Sequence, residues 1–395
     1  MRIQLGKIYD LFAAGFKADK KTVVTGVSID SRTVKPGEIF FAIKGENFDG
    51  HDFVNKALEQ KAVAAVCSKK DKYAGDNIIY VEDTVKALQD LARFYRQSLE
   101  IPFIAVTGSN GKTTTKDYTG AALAASFKTD YTKGNLNNQT GVPLTVFSVG
   151  EDSKAAVIEM GMNNAGEIRQ LSSVVLPDIA VITNIGTSHI GNLGSRENIF
   201  KAKTEVLEYM DNGYLIVNAD DDMLRRVKNN HKYKVIRVGI LADDLDYRAR
   251  DIVKNADNTY TFSVSDTRIT LSIPGIHNII NALLAFAVAD ILKADRKAAG
   301  EAIGACTNQI MRTQISVIDG YTVINDAYNA NFDSMRMAID ILKNYRGRKV
   351  AVLGDMLELG DFEEIMHERT GEYLAYNKID ILIAVGKNAD CYKKG

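Results

Sequence analysis

The sequence predicts an α/β fold of several domains around a parallel sheet, and three observations support this prediction. The chain has 395 residues, which is enough for two or three domains that each bury their own core. From residue 103 onward, short apolar runs alternate with helical stretches, a pattern typical of strands that helices cover on both faces. One of these runs passes through a glycine-rich turn into a helix, in IAVTGSNGKTTTKDYTGAAL at residues 104–123.

The first hundred residues mix short strands and helices. GEIFFAI (37–43) and AVAAVCS (62–68) are predicted strands, and DTVKALQDLARFYRQSL (83–99) is a predicted helix. Pro102 follows this helix and marks a natural boundary. We therefore predict a small amino-terminal α/β domain over residues 1–100.

The next part of the chain, predicted to form one domain over residues 101–312, carries the sheet. Its main predicted strands are FIAVTG (103–108), AAVIEMG (155–161), DIAVITNIG (178–186) and GYLIVNAD (213–220). Two further strand-like pieces, TYTFSV and RITLSI, precede GIHNIINALLAFAVADIL, which we expect to be a strongly amphipathic helix. Ligands bind beyond the carboxyl ends of the strands in open sheets of this kind.

A third strand and helix pattern is predicted over residues 313–395. It comprises YTVINDAYN (321–329), a helix from Ser334 to about Arg346, KVAVLGD (349–355), a helix near Glu363 to Asn377, and DILIAVG (380–386). Only 49 residues run from Gly347 to the last residue, whereas a doubly wound domain needs several units of about 30 residues. We therefore expect this domain to be incomplete.

Composition excludes several classes of protein. Lys and Arg total 49 against 50 acidic residues, so no global field favours nucleic acid or an anionic membrane. Cys67, Cys306 and Cys391 lack the spacing of a zinc or disulfide framework and suit a reducing compartment. No run of 18 apolar residues occurs, and the opening MRIQLGKIYDLFAAGF is too interrupted by charge for a signal peptide. We expect a cytoplasmic protein.

The glycine-rich turn is predicted to bind phosphate. Gly108 and Gly111 allow a tight backbone whose N–H groups face an anion, and the following helix adds its positive N-terminus. Lys112 can reach the outer phosphates, and the Thr113 hydroxyl can hold Mg²⁺. The usual G-x-x-x-x-G-K-[ST] pattern would need a glycine near Val106 or Thr107, so this loop is shortened. The predicted nucleotide-binding residues of the loop are Thr107, Gly108, Ser109, Asn110, Gly111, Lys112, Thr113 and Thr114.

Three further side chains are candidates for metal or catalytic chemistry. Glu159 ends a buried run, where a carboxylate suits Mg²⁺ opposite the loop, although a cap or a salt bridge is also open. His189 follows the next run and is either a metal ligand or a structural hydrogen-bonding residue. Lys203, in ENIFKAKTEVLE, is an ordinary helical lysine by composition and is not distinguished from Lys201.

Polar side chains gather at three other places. The tract TKGNLNNQTGVPLT (132–145) has the composition of a loop, yet its asparagines also suit a sugar-phosphate contact. Asn278 and Asn281 lie one helical turn apart and need partners, either an adenine edge or the backbone. Asp326, Tyr328, Asn329 and Asn331 crowd a predicted strand end, where an N-cap for the next helix is the alternative.

With these residues in place, the chain resembles the Mur ligases over essentially its whole length. TGSNGKTTTK resembles their ATP motif, and NIGTSHIG, KAKTE, HNIINA and Met311-Arg312 follow in the order of that family. KGNLNNQTGVPLT, INDAYNAN-x-DSM and LGDMLELG are most similar to the branch that adds D-Ala-D-Ala, and SIDSRTVKPGEIFFAIKGENFDGHDF resembles its UDP-binding region. The resemblance implies three domains, the third Rossmann-like, and ATP-dependent joining of D-Ala-D-Ala to a UDP-N-acetylmuramoyl tripeptide through an acyl phosphate.

The resemblance also implies roles for individual residues. Lys112, Glu159, His189 and Lys203 would be catalytic. Thr113, Glu159, His189 and Lys203 would hold Mg²⁺ at two sites, with Lys203 carbamylated, which needs a lowered lysine pKa. Asn278, Asn281, Arg312 and Asp326 would bind the nucleotide. The substrate-binding residues would be Ser31, Arg32, Asn135, Asn137, Asn138, Tyr328, Asn329 and Asn331. We expect a monomer.

Two alternatives remain open from the sequence. The first is a sibling ligase that adds another amino acid, or a folylpolyglutamate-type ligase. The second is a non-catalytic nucleotide-binding paralogue, because Phe332 stands where the family usually has proline and the third domain is short.

Overall fold

In a computed structural model, the chain folds around a seven-stranded parallel sheet. The structure describes residues 1–13, 19–70, 72–73, 75–307 and 309–395. Residues 14–16 of the opening MRIQLGKIYDLFAAGF, for which we predict no signal peptide, lie outside this set. No helix within the described residues is long and apolar enough to cross a bilayer.

The amino-terminal region, residues 1–100, contains a four-stranded parallel sheet of order β3-β4-β5-β6 and a short antiparallel pair, β1-β2. Its elements are β1 (Ile3–Gln4), α1 (Leu5–Leu11), β2 (Val23–Val24), β3 (Gly26–Ser28), β4 (Glu38–Phe41), α2 (Val54–Glu59), β5 (Ala64–Cys67), β6 (Ile78–Tyr80) and α3 (Thr84–Gln97). The predicted strands at 37–43 and 62–68 and the helix at 83–99 are confirmed as β4, β5 and α3.

The central region, residues 101–312, holds the main sheet, of order β13-β12-β11-β10-β7-β9-β8. Its elements are β7 (Phe103–Thr107), α4 (Lys112–Ala124), β8 (Thr129–Tyr131), α5 (Gly141–Ser148), β9 (Ala155–Glu159), α6 (Glu167–Val175), β10 (Ile179–Ile182), α7 (Ile190–Leu193), α8 (Arg196–Thr204), β11 (Gly213–Asn218), β12 (Tyr233–Gly239), β13 (Tyr247–Arg248), β14 (Arg250–Lys254), β15 (Tyr260–Val264), β16 (Thr267–Thr270), α9 (His277–Ile291) and α10 (Arg296–Ala305). Alternate residues of β7 enter two separate apolar cores, one on each face of the sheet.

The register of this sheet positions the candidate site. Thr107 of β7 pairs with Ile182 of β10, and Val106 pairs with Glu159 of β9. All three strands are parallel, so the phosphate loop, Glu159 and the segment after β10 leave the sheet at the same edge.

Helix α9 differs from its prediction. We expected a strongly amphipathic helix, but from Asn278 to Ala289 every residue except Ile280 is buried. The helix contacts α4, α10, the strands β11–β13 and β15. A helix packed on several faces is apolar nearly all round, and its two asparagines are therefore buried polar groups.

The carboxyl-terminal region, residues 313–395, contains two small sheets. Its elements are β17 (Gln314–Ile318), β18 (Tyr321–Asn325), α11 (Phe332–Leu342), β19 (Val350–Leu353), α12 (Glu363–Tyr376), β20 (Ile381–Ala384) and α13 (Ala389–Lys394). The prediction that β18 opens a parallel repeat was wrong, because β18 pairs antiparallel with β17, a strand that the sequence analysis missed. Asp319 and Gly320, both with positive φ, form the two-residue turn between them. Strands β19 and β20 are parallel, as predicted.

Candidate active site

The phosphate loop between β7 and α4 requires glycine at two positions. Gly108 has φ +147°, and a Cβ there would lie 1.9 Å from Thr183 Oγ1. Gly111 has φ +78°, and its Cβ would lie 2.6 Å from Asn281 Oδ1. Gly111 is also the N-cap of α4 and offers no side-chain acceptor. The first N–H groups of α4 are therefore available to an anion, as the sequence predicted.

Lys112 is folded over its own loop. Its Nζ donates to the carbonyl oxygens of Gly108 (2.8 Å) and Ser109 (3.0 Å). Burial lowers the pKa of Lys112, and the nearby Glu159 carboxylate partly opposes this effect. A phosphate placed at the loop would be a stronger partner for this ammonium than neutral carbonyls are.

Glu159 is a buried carboxylate that lies beside the phosphate loop. Its Oε1 accepts hydrogen bonds from Thr113 Oγ1 (3.2 Å) and Asn137 Nδ2 (2.8 Å). The side chain is 1% exposed, and its Oε2 has no hydrogen-bond partner within the part of the chain that the structure describes. Since an unpaired buried carboxylate oxygen is costly, the arrangement fits a divalent cation between Glu159 and the loop. In the described residues, no three His, Cys, Asp or Glu side chains cluster as a ready-made metal cage.

His189 precedes α7 with φ +61°, in the left-handed region. Its Nδ1 is hydrogen-bonded to Glu358 Oε2 from the carboxyl-terminal region. Burial lowers the pKa of His189, Glu358 opposes this effect, and the positive charges of Lys203 and Lys112 add to the lowering. A neutral imidazole is the form that can bind a metal.

Lys203 is buried, whereas Lys201 on the same helix is exposed. Lys203 is 1% exposed, and it forms no ion pair within the described ranges. Burial holds the pKa of Lys203 well below its usual value, and Lys112 lowers it further. The structure therefore distinguishes Lys203 from Lys201 by burial, which the composition of the segment could not do.

Asn278 and Asn281 face the same way, and their amides are partnered within the protein. Asn281 Nδ2 donates to Asn278 Oδ1 (2.9 Å), and Asn278 Nδ2 donates to the carbonyl of Pro274 (2.8 Å). Thr115 Oγ1 donates to Asn281 Oδ1 (3.2 Å). The pair thus connects α9 to α4 directly behind the phosphate loop.

A cleft opens beside the start of α4. Residues predicted for the nucleotide that line it are Thr113, Thr114, Asn278 and Arg312. The sequence analysis missed Asp117, Tyr118, Ile273, His277, Cys306, Thr307, Gln309 and Thr313, which also line it. His277 could have been found from its position immediately before Asn278. It is the first residue of α9, and this end of α9 faces the phosphate loop.

Arg312 is presented to this cleft by a strained segment. Met311 and Thr313 have φ of +58° and +49°, conformations that are costly for residues other than glycine. Asp326 Oδ1 accepts from Thr313 N (2.7 Å) and Thr313 Oγ1 (3.2 Å) and so fixes this turn. Burial raises the pKa of Asp326. The Arg312 guanidinium stacks 3.9 Å from the ring centroid of Tyr328.

Asn331 has two structural roles. Its Oδ1 accepts from Ser334 N (2.9 Å) in a capping box that starts α11 at Phe332. Its Nδ2 donates to Asn110 Oδ1 (2.8 Å) and Ser188 Oγ (2.9 Å). The N-cap alternative is therefore present, together with a contact to the phosphate loop. Phe332 packs against the core and leaves the capped turn intact.

The other predicted substrate-binding residues are more dispersed. Arg32 is exposed and pairs with Asp30 (2.7 Å), which lowers the pKa of Asp30 to about 2, while its neighbour Ser31 is buried. Asn138 Oδ1 accepts from Gly141 N (2.9 Å) at the start of α5. Asn135 and Asn329 are exposed. Of the three asparagines in the 132–145 tract, Asn137 is the one that the structure brings to Glu159.

Comparison with known proteins matches all three regions of the chain to Mur ligases. Profiles of the Mur ligase family catalytic domain, the Mur ligase middle domain and the Mur ligase glutamate ligase domain match residues 23–96, 106–289 and 311–393. The UDP-N-acetylmuramoyl-tripeptide–D-alanyl-D-alanine ligase of Bacillus subtilis is 39% identical over 93% of this chain and 81% of its own length. A MurF crystal structure from Acinetobacter baumannii superposes with TM-score 0.92 at 30% identity, covering 100% of this chain and 88% of that one. MurF from Thermotoga maritima, in complex with ADP, gives 0.84 at 27% identity over 93% and 86%.

Proposed function

The chain belongs to the Mur ligase family, and from that premise we propose its reaction and the residues that perform it. It is an ATP-dependent ligase that joins D-Ala-D-Ala to the UDP-N-acetylmuramoyl tripeptide in peptidoglycan precursor synthesis, as the names of its relatives state. The observation that carries the mechanism is the buried Glu159 Oε2 beside the Lys112 loop, which has no hydrogen-bond partner among the described residues.

The reaction begins when the terminal carboxylate of the tripeptide attacks the γ-phosphorus of ATP. This step forms an acyl phosphate and releases ADP, so the protein needs no nucleophile of its own. Lys112 and the N–H groups of the loop offset the charge that spreads over the transferred phosphoryl oxygens. The amine of D-Ala-D-Ala then attacks the acyl carbon, and phosphate leaves from the tetrahedral intermediate.

Mg²⁺, when bound, would neutralise phosphate charge. Thr113 and Glu159 would hold it at the loop, and His189 and a modified Lys203 would complete a second position. Lys112, Glu159, His189 and Lys203 are thus the proposed catalytic group. Arg312 and Asp326 would close the nucleotide cleft that Asn278 and Asn281 support.

Lys203 is proposed to be carbamylated. Its neutral amine would attack CO₂, form a nitrogen–carbon bond and lose one proton, which converts a buried cation into an anion able to hold Mg²⁺. The lowered pKa and the absence of an ion pair within the described residues favour this reaction. After equilibration with ¹³C-bicarbonate, a carbamate ¹³C signal should appear in the wild type and in Lys201→Arg but not in Lys203→Arg. A signal unchanged in Lys203→Arg would overturn the assignment.

The carboxyl-terminal region would protect the acyl phosphate from water. It contacts the phosphate loop through Asn331, and exclusion of water suits a hydrolysable intermediate. Ser31 and Arg32 would bind the UDP part, and Asn135, Asn138 and Asn329 the sugar and peptide parts. Asn137 and Tyr328, which contact Glu159 and Arg312, would act through those two residues. We also propose that domain boundaries lie near residues 100 and 312, and that the protein is monomeric and cytoplasmic. Light scattering tests the monomer, and limited proteolysis tests the boundaries.

The reaction is tested by supplying alternative amines in parallel. Phosphate release and product mass should show turnover with D-Ala-D-Ala well above that with D-Glu or a diamino acid, and above that with folate as the acceptor of glutamate. Lys112→Ala should abolish turnover. Faster turnover with another substrate would favour a sibling ligase, and no turnover with any of them would favour a nucleotide-binding paralogue.

A further inference from the structure

The segment Gly186–Gly191 lies between the phosphate loop and the carboxyl-terminal region. On the loop side, Gly186 N donates to Ser109 Oγ (2.9 Å), and Ser188 Oγ donates to the Ser109 carbonyl (3.3 Å). The segment is therefore held to the part of the loop that precedes Lys112.

The opposite side of the same segment contacts the carboxyl-terminal region. Asp333 Oδ2 accepts from Thr187 N (2.8 Å) and Thr187 Oγ1 (2.9 Å). Gly191 N donates to the Glu358 carbonyl (3.0 Å). A Cβ on Gly191 would lie 2.6 Å from that carbonyl oxygen, so the close approach depends on glycine at this position.

Between these contacts, the Glu358 carboxylate reaches the imidazole of His189. Oε2 is hydrogen-bonded to Nδ1, and both residues have positive φ, +60° for Glu358 and +61° for His189. Glu358 pairs with no lysine or arginine in the described part of the chain. Its side chain remains 44% exposed, so this contact is not a consequence of deep burial.

The contact has a defined chemical consequence. A carboxylate can only accept a hydrogen bond, so in the neutral imidazole of His189 the proton lies on Nδ1 and Nε2 keeps its lone pair. Metal-binding histidines commonly donate the other ring nitrogen to a carboxylate, which fixes the tautomer and the ring orientation. Glu358 stands in this relation to His189, and it comes from a different region of the chain.

We propose that Glu358 is a positioning residue that prepares Nε2 of His189 for a divalent cation when the carboxyl-terminal region docks. The proposal rests on the metal site of the proposed function. It makes the second metal position complete only in the docked arrangement, so that metal binding and docking favour each other.

The first test is the tautomer of His189, which does not depend on activity. The chain has five histidines, so ¹⁵N-histidine labelling with a His189→Gln variant for assignment can resolve the ring. At a pH where the imidazole is neutral, the wild type should carry its proton on Nδ1. Glu358→Ala should shift the population toward the Nε2 proton, and Glu358→Gln, whose amide oxygen can still accept, should retain the wild-type tautomer. An unchanged tautomer in Glu358→Ala would overturn the proposal.

The second test is the Mg²⁺ dependence of ligation. Glu358→Ala should raise the half-saturating Mg²⁺ concentration about tenfold, in the range seen for lost outer-shell partners of metal ligands. Glu364→Ala is the matched control, because Glu364 is exposed in the same region. If the wild type does not ligate D-Ala-D-Ala, the proposed function fails while the tautomer result stays interpretable. If the wild type is Mg²⁺-dependent and Glu358→Ala matches it, only the present inference fails.

Discussion

Asn110 and Asn331 exchange two amide hydrogen bonds across 221 positions of sequence. Asn331 Nδ2 donates to Asn110 Oδ1 (2.8 Å), and Asn110 Nδ2 donates to Asn331 Oδ1 (3.2 Å). Asn110 belongs to the phosphate loop, and Asn331 starts α11. The loop that would hold ATP is therefore joined directly to the region that would cover it.

The substitution Asn331→Ser separates the two roles of Asn331. Serine is a good N-cap, so α11 should keep its start, but its side chain is too short to reach Asn110. The substitution removes the two hydrogen bonds with Asn110 and the one that Asn331 Nδ2 donates to Ser188 Oγ. Because water can replace part of each bond, we expect turnover to fall about tenfold, which corresponds to about 1.4 kcal/mol. The free energy of unfolding should change by less than about 1 kcal/mol. Small-angle scattering should show a larger radius of gyration in the variant.

Asn110→Ala and the double variant complete the cycle. If the amide pair acts as a unit, the double variant should be no worse than the more affected single variant. Additive losses, or wild-type compaction in Asn331→Ser, would contradict a docking role.

The sequence predicted those parts of the site that depend on local patterns. The loop at Gly108–Thr113 and the placement of Glu159 and His189 follow from strand ends, because parallel strands share one carboxyl edge. The burial of Lys203 could not be predicted, since Lys201 and Lys203 are both lysines in the same polar segment. Only the packing of α8 buries one of them and leaves the other exposed. Contacts such as that between Asn110 and Asn331 cannot be predicted from a local sequence pattern. Each of the two asparagines, taken alone, is typical of a loop or of a helix cap.

Stability should depend on pH through Lys203. The pKa of Lys203 is lowered in the folded chain, so between that value and the ordinary value of 10.5 the unfolded chain binds more protons and stability rises with pH. In CO₂-free buffer, Lys203→Met should raise the free energy of unfolding on the order of 2 kcal/mol at neutral pH. The gain should shrink as pH approaches 10.5.

Lys201→Met is the matched control for this measurement. Lys201 is exposed on the same helix, so its replacement should change stability little at any pH. A gain in Lys203→Met that does not vary with pH would reflect packing alone and would argue against a lowered lysine pKa.

Asn137 should act through Glu159. Its Nδ2 donates to Glu159 Oε1 (2.8 Å), whereas Glu159 Oε2 has no partner within the residues that the structure describes. Asn137→Ala should therefore raise the Mg²⁺ requirement of ligation about tenfold while the KM of the UDP-tripeptide changes little. The resemblance assigned Asn137 to substrate binding, and a rise in that KM at unchanged Mg²⁺ requirement would favour this earlier role. Asn164→Ala, at an exposed asparagine, is the control.

Tyr328 should position Arg312 for ATP. The guanidinium lies 3.9 Å from the ring centroid, and a partly exposed pair of this kind contributes about 0.5–1 kcal/mol. Tyr328→Leu removes the ring, so the KM for ATP should rise about two- to fivefold, whereas Tyr328→Phe should stay near the wild type. Tyr376→Leu, at a side chain that is 83% exposed in the same region, should leave the KM for ATP unchanged. If Tyr328→Leu instead raised the KM for D-Ala-D-Ala alone, the Tyr328 ring would contact the incoming dipeptide. The strained backbone at Met311 and Thr313 would then be enough to position Arg312 without the ring.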